Sequence, residues 1–280
     1  MENLKIGNLR LKNKFLLAPM LEPNDIAFRL LCKKEGCGLT YTGMISPLSK
    51  QKLYFEDKPA IQIFGNTSKG IKDFIKKYDK NVTLWDFNLG CPSKISKKLS
   101  HGAFMHKDLE TIEKILTTMR SSTKKPITIK LRKSPNALKI ASLAENYVDA
   151  ISIHPRTISQ GYSGKPDYAF ALKLKSQAKI PVIYSGDVNE KNAKTILKDF
   201  DAVFIGRSAI GRSGIFAKLL GKKPKTNFSD YLTLAKKYNL PFRQIKYQAM
   251  NFTKEERFAR KLRAGIVGAK TVEEINNIFI

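Results

Sequence analysis

The 280-residue chain contains only three cysteines, Cys32, Cys37 and Cys91. Three cysteines cannot supply the disulfide framework of a small secreted domain, so the sequence is typical of a reducing compartment. The chain also lacks any run of about 18 apolar residues, so we expect no membrane span. Its first residues lack the basic and then apolar layout of a signal peptide. We therefore expect a cytoplasmic protein with no membrane partner, and no feature indicates an obligate protein partner.

Acidic residues are scarce as well. The chain has 24 Asp and Glu against 51 Lys and Arg, a formal net charge of +27. Excess lysine can reflect adaptation to heat, but so large a positive field also attracts polyanions at low salt. Charge therefore favours a nucleic-acid partner. With 42% hydrophobic residues the chain has enough apolar surface for a packed core, and its length predicts one large domain with at most a small appendage.

Eight short apolar segments predict the strands of a sheet. Most are continuous apolar runs, the pattern of parallel strands that are buried on both faces. They are Phe15–Met20, Leu39–Thr42, Ala60–Phe64, Thr83–Asn88, Pro126–Leu131, Ala150–Ile153, Pro181–Ser185 and Ala202–Ile205.

Helical patterns lie between these strands. They cover Lys69–Tyr78, Leu109–Arg120, Ala137–Asn146, Tyr168–Lys179 and Glu190–Leu197. About eight βα units over roughly 200 residues predict an α/β fold of the (β/α)8 TIM-barrel type rather than a doubly wound open sheet, which needs fewer units. Residues 4–11 predict a hairpin with a Gly-Asn turn that plugs the bottom of the barrel.

The C-terminal part of the chain differs from the rest. A solvated linker at residues 221–225 predicts a catalytic domain over residues 1–221 and a small all-α domain over 222–280. The latter holds 13 basic and five acidic side chains. Pro241 can start one helix, and Thr253 with Glu256 predicts a capping box that starts another. Lys254, Arg257 and Lys261 would then share one helix face, either as a solvated surface or as a phosphate-binding one.

Two predicted strands end in glycine motifs. The seventh is followed by Ser185-Gly186-Asp187 and the eighth by Gly206-Arg207. In a barrel, phosphate commonly binds in these two loops, and glycine lets backbone N–H groups approach an anion. No G-x-G-x-x-G follows a strand, which disfavours a Rossmann dinucleotide site. The pattern indicates a cofactor that carries a phosphate.

Polar residues also end or nearly end the other strands, where a packed core would exclude them. Gln62, Asn88, Lys130 and His154 together describe a ring of donors around a flat group with carbonyl oxygens, and an isoalloxazine fits. Cys91 follows a strand end and a glycine on the same face, which favours a catalytic role. Cys32 and Cys37 have no second pair, so we expect core residues and no metal site.

The motifs of the chain resemble those of the FMN-dependent tRNA-dihydrouridine synthases. They occur in the same order and cover essentially all of residues 14–216. They are Leu17-Ala18-Pro19-Met20, Asp25 with Phe28-Arg29, Thr42-Gly43-Met44, Gln62-Ile63-Phe64-Gly65, Asn88-Leu89-Gly90-Cys91-Pro92, Ile129-Lys130-Leu131-Arg132, His154-Pro155-Arg156-Thr157, Gly161-Tyr162-Ser163-Gly164, Ser185-Gly186-Asp187 and Gly206-Arg207.

The resemblance implies reduction of tRNA uridines to 5,6-dihydrouridine. Hydride would pass from reduced FMN to C6 of the uracil, a proton from Cys91 to C5, and NADPH or NADH would recharge the flavin. A thiol suits this role because it is mostly protonated at neutral pH. Asn88 and Arg156 would hold the flipped-out base, and Lys254, Arg257 and Lys261 would contact tRNA. The implied FMN-binding residues are Pro19, Met20, Leu21, Gln62, Lys130, His154, Ser185, Gly186, Asp187, Gly206 and Arg207.

Two other functions fit part of the pattern. One is an FMN barrel that acts on a free pyrimidine, as dihydroorotate dehydrogenases do, but a small substrate needs neither the positive charge nor the helical tail. The other is a tRNA-binding barrel without catalysis. The presence of Cys91, Lys130 and His154 together argues against it.

Overall fold

The computed structural model describes residues 3–22 and 24–279 and contains an eight-stranded parallel barrel. The strands are β3 (Phe15–Leu17), β4 (Tyr41–Ile45), β5 (Ala60–Ile63), β6 (Trp85–Leu89), β7 (Ile127–Arg132), β8 (Ala150–His154), β9 (Val182–Ser185) and β10 (Ala202–Ile205). Strands β4 to β10 pair with their neighbours in chain order, and β10 pairs with β3. A parallel bridge between Leu16 and Leu39 closes the cylinder. The predicted TIM-barrel fold is confirmed.

Helices cover the outside of the barrel between most strands. They are α1 (Ile26–Lys34), α2 (Ile71–Tyr78), α3 (Lys94–Lys98), α4 (Leu109–Ser122), α5 (Ala137–Ala144), α6 (Tyr168–Gln177), α7 (Ala193–Ile196) and α8 (Ile215–Leu219). Residues 46–59, between β4 and β5, form no helix. The helix predicted at Glu190–Leu197 is a single turn, and the side chain of its N-cap residue, Asn192, makes no capping hydrogen bond.

The predicted hairpin is also present. It consists of β1 (Leu4–Ile6) and β2 (Leu9–Leu11), paired antiparallel, and Gly7 takes the positive φ of 55° that the turn requires. Its buried side chains, Leu4, Ile6 and Leu11, form one apolar cluster with residues that include Leu16 and Ala150 from the barrel interior. The hairpin therefore closes the amino end of the barrel and leaves the carboxyl end open. We call this open end, where the strands finish, the mouth.

Four helices follow the barrel: α9 (Phe228–Lys237), α10 (Phe242–Phe252), α11 (Ala259–Gly268) and α12 (Val272–Ile278). We refer to them as the C-terminal helices. They are fastened to the barrel at Asp25, whose carboxylate caps α1 and accepts hydrogen bonds from Gln244 (2.9 Å) and Gln248 (3.0 Å). Pro241 precedes α10 as predicted.

The predicted capping box is wrong. Thr253 is fully buried, and its hydroxyl donates to the carbonyl of Met250 in the preceding helix and accepts from Arg263 (2.8 Å). A short 3₁₀ turn, Thr253–Glu255, follows, and α11 begins only at Ala259. A hydroxyl that is used to end one helix is not free to cap the next. Within the described residues, no helix has the length and apolar character that a bilayer span requires.

Candidate active site

Alternation along the strands places polar side chains inside the barrel. Trp85, Phe87 and Leu89 of β6 pack outward in the main core, so the intervening Asp86 and Asn88 face inward. The neighbouring strands alternate in the same way, so their polar residues also face the barrel interior. The pairing register aligns Gln62 with Asp86, Asp86 with Thr128, Asn88 with Lys130, and Lys130 with Ser152. The interior is thus apolar next to the hairpin and polar next to the mouth.

Lys130 gives the mouth an unpaired positive charge. Within the described residues its ammonium group has neither a hydrogen-bond partner nor an ion-pair partner. Burial, and to a smaller extent the charge of Arg132, lower the pKa of Lys130 to about 8, although Asp86 and Cys91 act in the opposite direction. An enclosed cation without a partner is costly unless a ligand supplies negative charge or an acceptor. Lys130 therefore marks a binding position for such a group.

Asp86 lies below Lys130 in the interior and is fully buried. It accepts hydrogen bonds from Gln62 (2.6 Å) and from the hydroxyl of Thr128 (2.5 Å). Burial raises the pKa of Asp86 to about 7, although the two hydrogen bonds and Lys130 lower it. Asp86 lies within the predicted strand Thr83–Asn88, but the sequence alone assigned it no role. Its signal was a carboxylate at an inward position of a strand whose outward residues are apolar.

Cys91 is separated from β6 by one residue, Gly90, and is partly exposed at the mouth. The main chain around it is held by several hydrogen bonds. Asn88 accepts at its side-chain oxygen from the amides of Gly90 (3.2 Å) and Cys91 (3.0 Å), and Arg132 donates to the carbonyl of Gly90 (2.8 Å). The carbonyl of Cys91 accepts from Ala103 (3.1 Å). The thiol therefore sits on a rigid segment.

His106 holds the residue at the end of the same strand. Its Nε2 lies 2.6 Å from the carbonyl of Leu89, and its Nδ1 lies 2.6 Å from the hydroxyl of Ser134. A carbonyl only accepts, so Nε2 carries the proton and Ser134 donates to Nδ1. Burial lowers the pKa of His106, which keeps the ring neutral. His106 links the end of β6 to the loop after β7, a role for which the sequence gives no local signal.

His154 ends β8 as a neutral ring. Burial lowers its pKa to about 2, and the positive charges of Lys130, Arg132, Arg156 and Arg207 add to the effect. Arg156 lies 3.3 Å from Nε2 of the ring. A guanidinium only donates, so Nε2 accepts and the proton of the neutral ring is on Nδ1. His154 can therefore offer an N–H donor but not a positive charge.

Arg156 is 1% exposed and uses all five of its N–H groups. They donate to His154, to the carbonyls of Ser163 and Gly164, and to both carboxylate oxygens of Asp187. In this arrangement Arg156 has no N–H left for a substrate carbonyl. Its observed contacts join the loops after β8 and β9.

The carboxylate of Asp187 is also engaged by partners within the protein. It bridges Arg156 and the half-exposed Arg207, and the hydrogen bond from Arg156 is the main reason that its pKa is lowered. Its backbone has a positive φ of 49°, and that of Gly186 a φ of 134°. The guanidinium carbon of Arg207 also lies 4.8 Å from the ring centre of the exposed Tyr162.

The remaining predicted cofactor residues lie around the same rim. Pro19, Met20 and the exposed Leu21 follow β3, and the buried Ser185 ends β9. A Cβ added to Gly206 would lie 3.6 Å from Ala18 and 3.8 Å from the sulfur of Met20, so the ends of β3 and β10 meet there. The structure brings all predicted barrel residues to one face, as the sequence analysis expected.

The three predicted tRNA-contacting residues do not share a helix face. Lys254 lies in the 3₁₀ turn, Arg257 in the turn before α11, and Lys261 inside α11. The shared-face prediction fails together with the capping box. Lys254 donates to the carbonyl of Ile210 in the loop after β10 (3.3 Å), whereas Arg257 and Lys261 are exposed.

Comparison with known proteins agrees with this geometry. The family model described as dihydrouridine synthase matches residues 16–273. The tRNA-dihydrouridine synthase B of Vibrio vulnificus is 34% identical over 238 residues, which cover 77% of this chain and 74% of the relative. The protein of the same name from Escherichia coli K12 is 31% identical over the same shares.

Solved structures share the fold at low identity. Histamine dehydrogenase from Rhizobium sp. 4-9 has a TM-score of 0.59 at 10% identity, over 79% of this chain and 47% of that chain. Morphinone reductase in complex with tetrahydroNAD has a TM-score of 0.52 at 12% identity, over 82% and 93%. These likenesses support the barrel fold alone.

Proposed function

Because the chain belongs to the dihydrouridine synthase family, we propose that it reduces uridines in tRNA to 5,6-dihydrouridine, with FMN as its bound cofactor and NADPH or NADH as the reductant. The observation that carries the proposal is the position of Cys91. The thiol stands on a rigid segment at the mouth, beside the enclosed ammonium group of Lys130, which has no hydrogen-bond or ion-pair partner in the part of the chain that the structure describes.

The residues around the mouth fit an FMN group. Lys130 supplies a cation and His154 an Nδ1–H, both suited to the carbonyl and nitrogen edge of an isoalloxazine ring. Gln62 retains one side-chain N–H after its bond to Asp86. The glycine ends of β9 and β10, with Arg207, suit the phosphate. Pro19, Met20, Leu21 and Ser185 complete the proposed site, and Asp187 contributes by holding Arg207.

The proposed chemistry divides between cofactor and protein. FMN, when bound, supplies the hydride that reduces C6 of the uracil. Cys91 then donates the proton of its Sγ to C5, as general acids of this kind do. The hydrogen bonds to the main chain of residues 89–91 fix where that proton is delivered.

The structure alters the proposed binding of the base. Asn88 retains one side-chain N–H, so we assign to it the contact with a uracil carbonyl. Arg156 has every N–H in use, so we assign to it a positioning role: it sets the tautomer of His154 and holds Asp187. This refines the role that the resemblance implied for Arg156.

We further propose that residues 1–221 form the catalytic domain and residues 222–280 the tRNA-binding domain. The C-terminal segment carries 13 basic side chains, among which Arg257 and Lys261 are exposed. We assign Lys254 to holding this segment against the barrel as well as to the tRNA surface. A tRNA substrate places the protein in the cytoplasm.

Reconstitution tests the proposal. Purified protein supplied with FMN, NADPH and unmodified tRNA should form dihydrouridine, which mass spectrometry detects and locates in the tRNA. Protein that remains colourless after addition of FMN would instead indicate a tRNA-binding barrel without catalysis. Protein that binds FMN but exchanges electrons only with a free pyrimidine would indicate the dihydroorotate type of reaction. Either result would overturn the proposal.

A further inference from the structure

A chain of hydrogen bonds runs from the bottom of the polar interior to Cys91. Thr128 donates to Asp86, Gln62 donates to Asp86, and Asn88 donates to the side-chain oxygen of Gln62 (2.7 Å). Asn88 in turn accepts from the amides of Gly90 and Cys91. Asp86 and Gln62 are at most 1% exposed and Asn88 is buried, so water does not compete for these bonds.

The direction of each bond is forced from the end at Cys91. Backbone amides only donate, so Asn88 must turn its oxygen toward Gly90 and Cys91 and its nitrogen toward Gln62. Gln62 must then present its oxygen to Asn88, which turns its own nitrogen away. The group that faces this nitrogen has to be an acceptor. Asp86 is that acceptor, and the hydroxyl of Thr128 supplies its second bond.

A residue at position 86 without a hydrogen-bond acceptor would reverse the direction of these hydrogen bonds. If residue 86 lacked an acceptor, the nitrogen of Gln62 would be buried without a partner, and rotation of its amide would be the simplest relief. Gln62 would then offer its nitrogen to Asn88, which would have to rotate as well and release the amides of Gly90 and Cys91. The main chain that carries the thiol would therefore depend on a carboxylate of the same strand, which lies deeper in the barrel and five residues before Cys91.

We propose that Asp86 is a positioning residue, which fixes the orientation of the Gln62 and Asn88 side-chain amides and thereby holds the main chain of Gly90 and Cys91. In this orientation each amide keeps one N–H for a ligand, and such a pair of donors suits carbonyl oxygens. The catalytic meaning of this role rests on the proposed function of Cys91. The chain of hydrogen bonds itself does not.

Amide hydrogen exchange tests the role directly. Asp86→Leu should speed exchange at the Gly90 and Cys91 amides by about tenfold or more, since the rotated Asn88 no longer accepts from them. Gln62→Leu turns no nitrogen toward Asn88, so it should speed exchange at these amides much less. Because Asp86 acts on Asn88 through Gln62, the double variant should exchange like Gln62→Leu alone. Exchange is measured on protein with and without FMN.

Asp86→Asn is the conservative variant that should restore the chain. An asparagine oxygen can accept from Gln62, and its nitrogen can donate to the hydroxyl of Thr128. Its exchange rates at Gly90 and Cys91 should stay within about threefold of the original, as hydrogen-bond energies of this size imply. If Asp86 acted through its charge instead, Asp86→Asn would behave like Asp86→Leu.

Ser152→Ala is the matched control. Ser152 is another buried polar residue of the interior, but it donates to the carbonyl of Ile129 and lies outside the chain. Its loss should leave exchange at Gly90 and Cys91 unchanged. If Asp86→Leu does not fold, Asp86→Val, which is smaller and likewise offers no acceptor, replaces it in the comparison.

Three results would overturn the proposal: wild-type exchange at Gly90 and Cys91 in Asp86→Leu, additive effects of Asp86→Leu and Gln62→Leu, or no rescue by Asp86→Asn. The experiment uses no tRNA. A protein that forms no dihydrouridine but shows the expected exchange pattern would refute the proposed function and leave the role of Asp86 standing.

Discussion

The barrel mouth and the C-terminal helices are both basic, but they hold their positive charges in opposite ways. At the mouth, Arg132 and Arg156 are buried, and each donates to several acceptors. Lys130 is enclosed, but its ammonium group has no acceptor among the described residues. Among the C-terminal helices, Arg257, in the turn before α11, and Lys261, inside α11, are exposed. Enclosed cations fix the positions of the groups they bind, and the loss of a single partner lowers stability strongly. Exposed cations contribute to binding through their summed charge, which salt screens.

Removal of the enclosed Lys130 should have the largest effect of any charge change in the two regions. Lys130→Met should weaken FMN binding by about 30- to 100-fold, the scale of a charged hydrogen bond. The same change should raise the melting temperature of the FMN-free protein, because it removes an enclosed cation without a partner. Titration by flavin fluorescence and thermal unfolding measure the two effects. Lys114→Met, at an exposed site on α4, should change neither, and a similar loss of FMN affinity there would contradict the account.

The two regions should also differ in the strength of their ion pairs. Asp187→Ala leaves the buried Arg156 without its carboxylate and should lower the free energy of unfolding by about 2 kcal/mol, less than for a fully buried pair because Asp187 is partly exposed. Glu273→Ala breaks an exposed pair with Lys236 and should cost less than about 1 kcal/mol. Urea unfolding compares the two variants. Equal losses would remove the distinction between enclosed and exposed charges.

Between pH 7 and 5 the barrel should contribute more than the C-terminal helices to the pH dependence of the free energy of unfolding. All three histidines, His101, His106 and His154, lie in the barrel. Burial lowers the pKa of His154 to about 2, so below about pH 6.5 the unfolded chain takes up a proton that the folded chain does not. The stability that His154 contributes above pH 6.5 is therefore lost as the pH falls. From pH 6.5 to 5 the loss is about 2 kcal/mol for one such group.

His154→Asn isolates this effect because asparagine can still accept from Arg156. Asp86 acts in the opposite sense, since its pKa is raised to about 7 and its protonation on acidification favours the folded state. That contribution is common to both proteins and cancels in their difference. Urea unfolding at pH 7 and pH 5 should show a smaller loss of stability on acidification in His154→Asn. An identical loss in both proteins would mean that His154 is not held neutral.

The smallest expected effect belongs to the exposed cations. Replacing Arg257 and Lys261 together with glutamine should lower the slope of log tRNA affinity against log salt by about 1.5, or about 0.7 for each lost phosphate contact. FMN binding should not change. Lys5 and Lys12, on the hairpin at the far end of the barrel, provide the control pair. An unchanged slope in the first pair, or an equal change in the control pair, would place the tRNA elsewhere.

Sequence reasoning predicted the barrel because parallel strands that are buried on both faces appear as short continuous apolar runs, a pattern set by local residues. The hairpin, the parallel strands and the polar strand ends at Gln62, Asn88, Lys130 and His154 were all visible in this way. The start of α11 was not, because Thr253 was read as a local cap and its tertiary burial reversed its role. Likewise, no sequence pattern shows that all five N–H groups of Arg156 donate to acceptors within the protein. Nor does any pattern show that Asp86 is linked to the main chain of Cys91 through the side-chain amides of Gln62 and Asn88.

The central claim is that Cys91 delivers the proton that completes uridine reduction. Its most direct test is a single-turnover measurement in which pre-reduced FMN protein is mixed with unmodified tRNA and the return of flavin absorbance is followed. For Cys91→Ala we predict that this return slows by at least about 100-fold, with reduction by NADPH unchanged, whereas Leu99→Ala at a nearby exposed site behaves as the original. Return at the original rate in Cys91→Ala would contradict the account.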